Sequence, residues 1–264
     1  MRICRIAIGD TVSFALIDQL DGSGEIGADT IVVPIAGHPF GDIEPVGAAL
    51  PAADVKLLAP VLPSKIVCIG KNYADHAAEM GTAVPETPLI FLKPSTSVIG
   101  PGEAIVVPRQ SQEVHHEAEL AIVIGRFCKD VPLERVPEVI LGYTCANDVT
   151  ARDLQHKDGQ WTRAKGFDTF CPLGPWIETE LDTSDLAITC YVGSDLRQSG
   201  STQDLIVKVP ELVSYVSSCM TLLPGDVILT GTPAGVGRLV SGDHVDVEIE
   251  GIGNLVNFVT AEAI

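Results

Sequence analysis

Residues 115–125 constrain the fold most, because they join a buried apolar run to two acidic side chains. The segment reads His115-His116-Glu117-Ala118-Glu119-Leu120-Ala121-Ile122-Val123-Ile124-Gly125. The apolar run Leu120–Ile124, ended by a glycine, predicts a buried β-strand. Glu117 and Glu119 are two residues apart, so on a strand their side chains leave the same face.

Two carboxylates held this close repel each other, and burial adds to the unfavourable energy of their charges. We therefore predict a positive charge between Glu117 and Glu119, most simply a divalent cation. The alternative is a polar strand end with two solvated glutamates, since charge runs usually face water.

Composition limits the class of protein and its partners. A chain of 264 residues that is 46% hydrophobic can bury one large core, with room for a small second domain. The net charge of −18 argues against nucleic acid or an anionic membrane surface as a partner. No apolar run approaches the ~20 residues that span a bilayer, and no signal peptide is recognised. We expect a cytoplasmic protein whose scattered cysteines are free thiols.

Many short strands and few helices are predicted after residue 61. The predicted strands are Ile66–Gly70, Leu89–Lys93, Ala104–Val107, Leu120–Ile124, Val139–Val149, Ala187–Val192, Asp226–Thr230 and Val245–Ile249. The predicted helices and helical turns are Tyr73–Met80, Leu133–Val136, Ala151–His156 and Ile206–Cys219. This density of strands predicts a predominantly β domain, either a sandwich or a barrel-like roll.

The sequence pattern of residues 1–60 differs from that of the rest of the chain. This difference predicts a small N-terminal domain ahead of a main domain at 61–264. A hairpin is expected from Arg2–Ile8, the turn at Gly9-Asp10, and Thr11–Ile17. Prolines then punctuate residues 33–60, as in a connecting stretch.

Asp148 is the third acidic candidate, because it ends the apolar run 139–149. A strand end at the rim of a β domain is where a metal ligand would be delivered. Three carboxylates without a thiolate favour a hard ion, Mg²⁺ or Mn²⁺, over zinc. The alternative for Asp148 is that it caps a helix or lies in a turn. Asp153 could equally be a partner for the neighbouring Arg152.

Lys165 and Gln155 are further candidates for chemistry. Lys165, between Trp161 and Phe167, could face an enolate or a carboxylate from a partly apolar pocket, although most lysines are solvated. Gln155 falls on a predicted short helix and has the same alternative of simple solvation.

His76 and Glu79 lie three residues apart on a predicted helical turn, so the carboxylate can orient the imidazole as a general base. Gly70 and Gly81 flank this segment and would let it move as a lid. An exposed helix with an incidental pair is the alternative.

A glycine-rich loop follows the predicted strand 226–230. Its sequence, Thr230-Gly231-Thr232-Pro233-Ala234-Gly235-Val236-Gly237, matches neither common nucleotide-binding glycine motif. Its backbone N–H groups and the Thr232 hydroxyl could hold a substrate carboxylate, or the loop could be a plain turn.

Together these motifs resemble the fumarylacetoacetate hydrolase family over roughly residues 61–264. The matching runs are Lys71-Asn72-Tyr73-Ala74-Asp75-His76, Pro88-Leu89-Ile90-Phe91-Leu92-Lys93-Pro94, His116-Glu117-Ala118-Glu119-Leu120, Asn147-Asp148-Val149-Thr150-Ala151-Arg152-Asp153, Trp161–Lys165 and Gly225-Asp226-Val227-Ile228-Leu229-Thr230-Gly231-Thr232-Pro233. The resemblance implies a mixed β-sandwich roll, a small α+β N-terminal domain and a homodimer.

The resemblance also implies the roles of the site residues. By position, Glu117, Glu119 and Asp148 match the family's Mg²⁺ or Mn²⁺ ligands. His76 and Glu79 match its water-activating pair, and Lys165, Gln155 and Thr232 match residues that contact the substrate or the attacking water.

Three reactions of 2-oxo or 2,4-diketo acids are compatible with such a site, because each passes through a stabilised enolate. These are C–C bond hydrolysis, isomerisation of a 2-hydroxy-2,4-dienedioate, both expected in aromatic catabolism, and decarboxylation of oxaloacetate. A module that binds metal and 2-oxo acid without turnover is the alternative of a different class. The physiological substrate stays open.

Overall fold

The computed structural model describes residues 1–18 and 29–263, and the predicted predominantly β fold is confirmed. Its strands are β1 (Arg2–Ile8), β2 (Thr11–Asp18), β3 (Ile31–Pro34), β4 (Leu50–Pro51), β5 (Lys56–Leu58), β6 (Ile66–Gly70), β7 (Leu89–Lys93), β8 (Val98–Ile99), β9 (Ala104–Val107), β10 (Val114–His116), β11 (Ala118–Ile124), β12 (Ile140–Asn147), β13 (Thr150–Ala151), β14 (Cys171–Glu178), β15 (Ala187–Val192), β16 (Asp195–Ser201), β17 (Val227–Leu229), β18 (Gly237–Arg238), β19 (His244–Ile249) and β20 (Gly253–Ala261).

Helices are short and few in the described part of the chain. The α-helices are α1 (Ala74–Glu79), α2 (Arg152–Asp158), α3 (Thr162–Lys165) and α4 (Val209–Cys219), and 3-10 helices cover Ala52–Asp54, Ser95–Ser97, Leu133–Glu138 and Thr202–Asp204. None of these helices is long and apolar enough to cross a membrane.

The largest sheet runs in the order β4-β3-β2-β1-β14-β12-β11-β17-β6-β7, and a second sheet runs β16-β15-β19-β20-β9. Strand β11 lies inside the first sheet, antiparallel to β12 and β17. Its side chains alternate between two hydrophobic clusters: Leu120 and Ile122 enter one, and Ala121 and Val123 enter the other. Because both faces are covered, the strand reads as a continuous apolar run.

The N-terminal strands extend the large sheet. Strand β1 pairs with β2 along its length and, at Arg2 and Ile3, with β14. The described residues of the predicted domain 1–60 contribute β1–β5 and the 3-10 helix 52–54. Residues 19–28 of that predicted domain and residue 264 of the second lie outside the described residues, and the boundary at residue 60 stays a prediction.

Strands β14, β16 and β20 were not predicted from the sequence, and β14 is the one that lies within the largest sheet. Its sequence, Cys-Pro-Leu-Gly-Pro-Trp-Ile-Glu, contains two prolines and a glycine, which normally argue against a central strand. Every residue of β14 is nevertheless buried, and the pairing of β14 with β12 shifts register between Tyr143 and Cys145. An irregular ladder of this kind can hold residues that cannot donate to a regular one.

Candidate active site

Three acidic side chains meet where two antiparallel strands begin and end. Glu117 occupies the break between β10 and β11, Glu119 is the second residue of β11, and Asp148 follows β12. Asp148 donates its backbone N–H to the Glu117 carbonyl at 2.8 Å. One carboxylate oxygen of each residue lies within 4.8 Å of those of the other two. The three residues are 4%, 2% and 1% exposed, so the alternative of solvated glutamates at a strand end is wrong.

Three buried basic side chains pair with two of these carboxylates. Lys165, the last residue of α3, donates to Glu117 Oε2 at 2.7 Å and to Asp148 Oδ2 at 2.6 Å. Arg152, the first residue of α2, pairs with the other oxygen of Glu117, and Lys93, the last residue of β7, pairs with the other oxygen of Asp148. All three basic groups pair with Glu117 or Asp148, and none of the three pairs with Glu119.

Arg152 and Asp153, which were candidate partners in the sequence, do not pair with each other. Asp153 accepts hydrogen bonds from Ser111 Oγ at 2.6 Å and from the Gln112 backbone N–H at 3.0 Å. Consecutive residues of a helix point about 100° apart, so Arg152 can turn inward to Glu117 while Asp153 turns toward the loop at 111–112.

Glu117 and Glu119 differ in how readily they hold a charge. Burial opposes the ionisation of Glu117, but the positive charges of Lys165 and Arg152 outweigh it and hold the pKa of that carboxyl well below its usual range. Burial raises the pKa of Glu119 well above its usual range, and the negative charges of Asp148 and Glu117 raise it further. Glu119 thus carries the least compensated of the three charges.

The donor set fits a hard divalent cation. Carboxylate oxygens are the preferred ligands of Mg²⁺ and also suit Mn²⁺. Glu119 has no ion-pair partner within the described ranges, and it accepts a hydrogen bond from the Gly231 N–H at 2.6 Å. A buried carboxylate without a cation is costly, so a metal ion held by Glu117, Glu119 and Asp148 would supply the missing charge.

We expect the affinity for Mg²⁺ or Mn²⁺ to rise with pH. A carboxyl whose pKa is raised keeps its proton to higher pH, and the Glu119 proton must leave before the ion binds. By the same linkage, Glu119 adds to the stability of the metal-free protein below the pKa of an unfolded glutamate. That contribution is lost as pH rises through the folded-state pKa. Calorimetric Mn²⁺ titrations from mildly acidic to mildly alkaline pH would check this, and a pH-independent affinity would contradict it.

His76 and Glu79 form the predicted pair on α1. His76 is buried, and its Nδ1 lies 3.1 Å from Glu79 Oε2. Glu79 also accepts the Gly235 N–H at 3.0 Å, so the glycine-rich loop holds the pair in place. When Nδ1–H is donated to Glu79, the lone pair of His76 lies on Nε2 and is free to accept a proton.

The segment that carries this pair is anchored at its start. The Asn72 side chain donates to the Thr230 and Val207 carbonyls at 2.8 and 3.0 Å and accepts the Val207 N–H at 2.8 Å. Gly231 has φ +102°, and a Cβ there would lie 2.8 Å from Asn72 Cβ, so only glycine fits this approach. Movement of residues 70–81 as a lid stays a prediction.

The glycine-rich loop contacts carboxylates of the protein itself. Its Gly231 N–H donates to Glu119 and its Gly235 N–H to Glu79. These two N–H groups are therefore already committed, and the suggestion that the loop backbone holds a substrate carboxylate is not supported at either residue.

Gln155 and Thr232 line the same cavity as the carboxylates. Arg152 donates to Gln155 Oε1 at 2.7 Å, which leaves the amide N–H groups of Gln155 for a substrate or a water molecule. Thr232 Oγ1 accepts from Gln198 Nε2 at 2.7 Å and lies 2.8 Å from the Ala118 carbonyl, to which it donates. Its hydroxyl is thus oriented from two sides.

The cavity encloses about 650 Å³, including its open mouth. Trp161 forms part of the wall, edge-on to Phe91 with ring centroids 5.2 Å apart. A Cβ on Gly70 would lie 2.7 Å from the Trp161 ring, so glycine at this position admits the indole.

Three side chains that were not predicted as site residues hold the site in place: Arg152, Lys93 and Gln198. Each is buried, at 3%, 1% and 0% exposure. Lys93 does carry a signal, because a lysine that ends an apolar strand and precedes a proline is unusual unless it has a buried partner. Gln198 carries none, since β16 is polar and mostly exposed.

Comparison with known proteins agrees with this geometry. A family model described as fumarylacetoacetate (FAA) hydrolase C-terminal matches residues 65–260, and one described as Rv2993c-like, N-terminal matches residues 1–60. The structure of a 5-carboxymethyl-2-hydroxymuconate delta-isomerase from Mycobacterium smegmatis is 53% identical, with a TM-score of 0.92, and the match covers 99% of this chain and 100% of that one.

Two further similar proteins are an oxaloacetate tautomerase and a maleylpyruvate hydrolase. The mitochondrial oxaloacetate tautomerase Fahd2a of Rattus norvegicus is 44% identical over 220 residues, which is 79% of this chain and 70% of the relative. The maleylpyruvate hydrolase of Sphingobium sp. SYK-6, solved with manganese(II) and pyruvate, is 32% identical with a TM-score of 0.79 over the full length of both chains. Because the family model matches residues 65–260, which is most of the chain, this chain belongs to the fumarylacetoacetate hydrolase family of enzymes.

Proposed function

We propose that this protein is a divalent-metal-dependent isomerase of 2-oxo or 2-hydroxy-2,4-dienoic acids, acting through an enolate in the catabolism of aromatic compounds. The observation that carries the proposal is the buried triad of Glu117, Glu119 and Asp148, bridged by Lys165 in a cavity that His76 also lines. The similar delta-isomerase and oxaloacetate tautomerase both move a proton between carbon and an enol system, which supports the choice of isomerisation.

Lys165 is suited to stabilise an enolate. A bound Mg²⁺ or Mn²⁺ would supply Lewis acidity toward the 2-oxo oxygen of the substrate. Two of the three N–H bonds of the Lys165 ammonium are donated to Glu117 and Asp148, so one stays available to a negative oxygen in the cavity. Burial lowers the pKa of Lys165, but the negative charges of Asp148 and Glu117 outweigh burial and raise that pKa above its usual range, so the Lys165 ammonium keeps its positive charge.

His76 is suited to carry the proton. Its Nε2 can take a proton from the carbon beside the carbonyl, while the electron pair of the C–H bond moves into the enolate. The imidazolium that forms is stabilised by Glu79, and it can return the same proton to another carbon of the conjugated system. No nucleophile is consumed, and substrate and product have the same composition.

Hydrolysis of a C–C bond is the second candidate. It is favoured by the free amide N–H groups of Gln155, which can hold a water molecule near His76, and by the similar maleylpyruvate hydrolase. His76 would take a proton from this water as its oxygen attacks the C4 carbonyl. The C3–C4 bond then breaks, and its electrons pass to the enolate of the 2-oxo acid.

One substrate panel distinguishes these reactions from one another and from binding without turnover. The purified protein with Mg²⁺ or Mn²⁺ would be given the enol form of oxaloacetate, a hydroxymuconate-type dienoate and an acylpyruvate, with products followed by NMR and mass. Isomerisation leaves the mass unchanged, hydrolysis yields two acids, and decarboxylation releases carbon dioxide. Absence of metal-dependent turnover on all three would contradict the proposal and favour the binding module.

A further inference from the structure

Lys71 and His156 are basic side chains in the cavity wall that have no role in the proposed reaction. Both line the cavity, Lys71 half-buried and His156 exposed. Neither side chain has a hydrogen bond or an ion pair to any residue of the ranges 1–18 and 29–263. The other lysine and the arginine of the wall, Lys165 and Arg152, are both paired with Glu117. In a chain with 35 acidic and 17 basic residues, an unpaired lysine that faces a cavity is a local departure from the overall charge.

The backbone holds Lys71 in an uncommon conformation. Its φ is +59°, in the left-handed region that residues with a Cβ seldom enter because the Cβ then crowds the following carbonyl oxygen. The next residue, Asn72, is fixed by its side-chain bonds to Val207 and Thr230, so the turn cannot relax freely. Strain of this kind persists at ligand sites, where the side chain is needed in one place.

His156 belongs to the face of α2 that points into the cavity. Arg152, Gln155 and His156 are spaced i, i+3 and i+4, so their side chains share one side of the helix, and all three line the cavity. Arg152 and Gln155 are buried and bonded to each other, while His156 is exposed. The face therefore runs from a buried end at the carboxylates to an exposed end at His156.

Apolar side chains complete the same wall: Ile69, Met80, Phe91 and Trp161. The cavity thus offers carboxylates for a metal ion, an apolar surface, and unpaired basic groups. A 2-oxo acid bound to the ion places its carbon chain against the apolar surface. If that chain ends in a second carboxylate, this group needs a partner of its own, because Lys165, Arg152 and Lys93 are already paired with the triad.

We propose that Lys71, assisted by His156, binds the distal carboxylate of the substrate and selects 2-oxo dicarboxylates over monocarboxylates. This inference rests on the proposed function, because it presumes a 2-oxo acid at the metal. Lys71 supplies a permanent positive charge, and the His156 imidazole supplies an additional hydrogen-bond donor. Lys71 acts on specificity and has no part in the proton transfer.

Two ligands that differ only at the distal end test the inference directly. 2-Oxoglutarate and 2-oxopentanoate share the 2-oxo acid and the chain length, but only the first ends in a carboxylate. In calorimetric titrations of the Mn²⁺-loaded protein, Lys71→Gln should weaken 2-oxoglutarate binding by about tenfold to a hundredfold, as expected for loss of a charge-assisted hydrogen bond. Binding of 2-oxopentanoate should be unchanged.

Two further variants make the result unambiguous. Lys157→Gln removes an exposed lysine of α2, the helix that carries His156, and Lys157 is not part of the cavity wall. This variant should change neither the affinity for 2-oxoglutarate nor that for 2-oxopentanoate. Lys71→Asn also removes the charge, but asparagine tolerates the left-handed backbone conformation. This variant should distinguish 2-oxoglutarate from 2-oxopentanoate as poorly as Lys71→Gln does, and its unfolding temperature should not fall below that of the wild-type protein.

Equal affinity of the wild-type protein for the two ligands would overturn the role of Lys71 and leave the proposed function intact. An equal loss of both ligands in the Lys71 variants would overturn it as well. Failure of the Mn²⁺-loaded wild-type protein to bind either 2-oxo acid would instead overturn the proposed function, and this inference with it.

Discussion

Replacing Glu119 by glutamine should abolish divalent-metal binding without lowering the stability of the metal-free protein. Loss of one of three carboxylate ligands is expected to weaken Mn²⁺ binding by more than about a hundredfold, and metal-dependent turnover should be lost with it. The metal-free protein should be unaffected or stabilised, because the pKa of Glu119 is raised by burial and by Asp148 and Glu117. Glutamine keeps an oxygen that can accept the Gly231 N–H.

Glu117→Gln provides the matched contrast, because it removes another proposed ligand but also breaks ion pairs with Lys165 and Arg152. It should lower the free energy of unfolding by about 3–5 kcal/mol, as expected when a buried pair loses one partner. Glu113→Gln, at a half-exposed side chain, controls for loss of an acidic group nearby. Calorimetric Mn²⁺ binding and chemical unfolding report the two effects separately. Unchanged metal affinity in Glu119→Gln would refute the ligand assignment.

Replacing His76 by alanine should remove the proton-transfer step and leave metal binding intact. General acid–base catalysis by one positioned group typically contributes 10²–10⁴-fold, so we expect a fall of about that size in kcat for isomerisation and for C–C hydrolysis. Decarboxylation of oxaloacetate needs only a stabilised enolate, and its rate should fall much less. Parallel rate measurements on the three substrates, together with a Mn²⁺ titration, would establish the pattern.

His38→Ala, an exposed histidine outside the cavity wall, is the control for this prediction. Glu79→Gln should give a smaller loss than His76→Ala, because glutamine can still accept the Nδ1–H bond but stabilises the imidazolium less. Equal losses of decarboxylation and isomerisation in His76→Ala would show that the histidine does not act as the base.

The parts of the site that are local in sequence were predictable. Glu117 and Glu119 are two residues apart beside an apolar run, and His76 and Glu79 are three apart on a helical turn. Side-chain direction in such short segments follows from backbone geometry alone. Asp148 was predictable for a similar reason, because a residue at the end of a buried strand lies at the rim of the β domain. Their roles as metal ligands and base stay predictions.

The pairing between these carboxylates and their basic partners was not predictable from local patterns. Lys93, Arg152 and Lys165 come from the end of β7, the start of α2 and the end of α3. A lysine or arginine in sequence is most often a solvated surface group. The contexts of Lys93 and Lys165 suggest burial, but they do not identify the carboxylate that each lysine contacts. The partner of Arg152 was accordingly missed, and Asp153 was considered in its place.

By itself, the sequence determined the β-rich class, the buried strand β11 and the family, because these depend on apolar periodicity and on motifs of a few residues. Tertiary structure alone decided that Gly235 secures Glu79 and that Lys71 lines the cavity. It also decided that, among the residues the structure describes, Glu119 has no paired cation and Lys71 has no hydrogen-bonding partner. The physical reason is that the energy of a buried charge depends on every group within a few ångströms, and those groups arrive from distant parts of the chain.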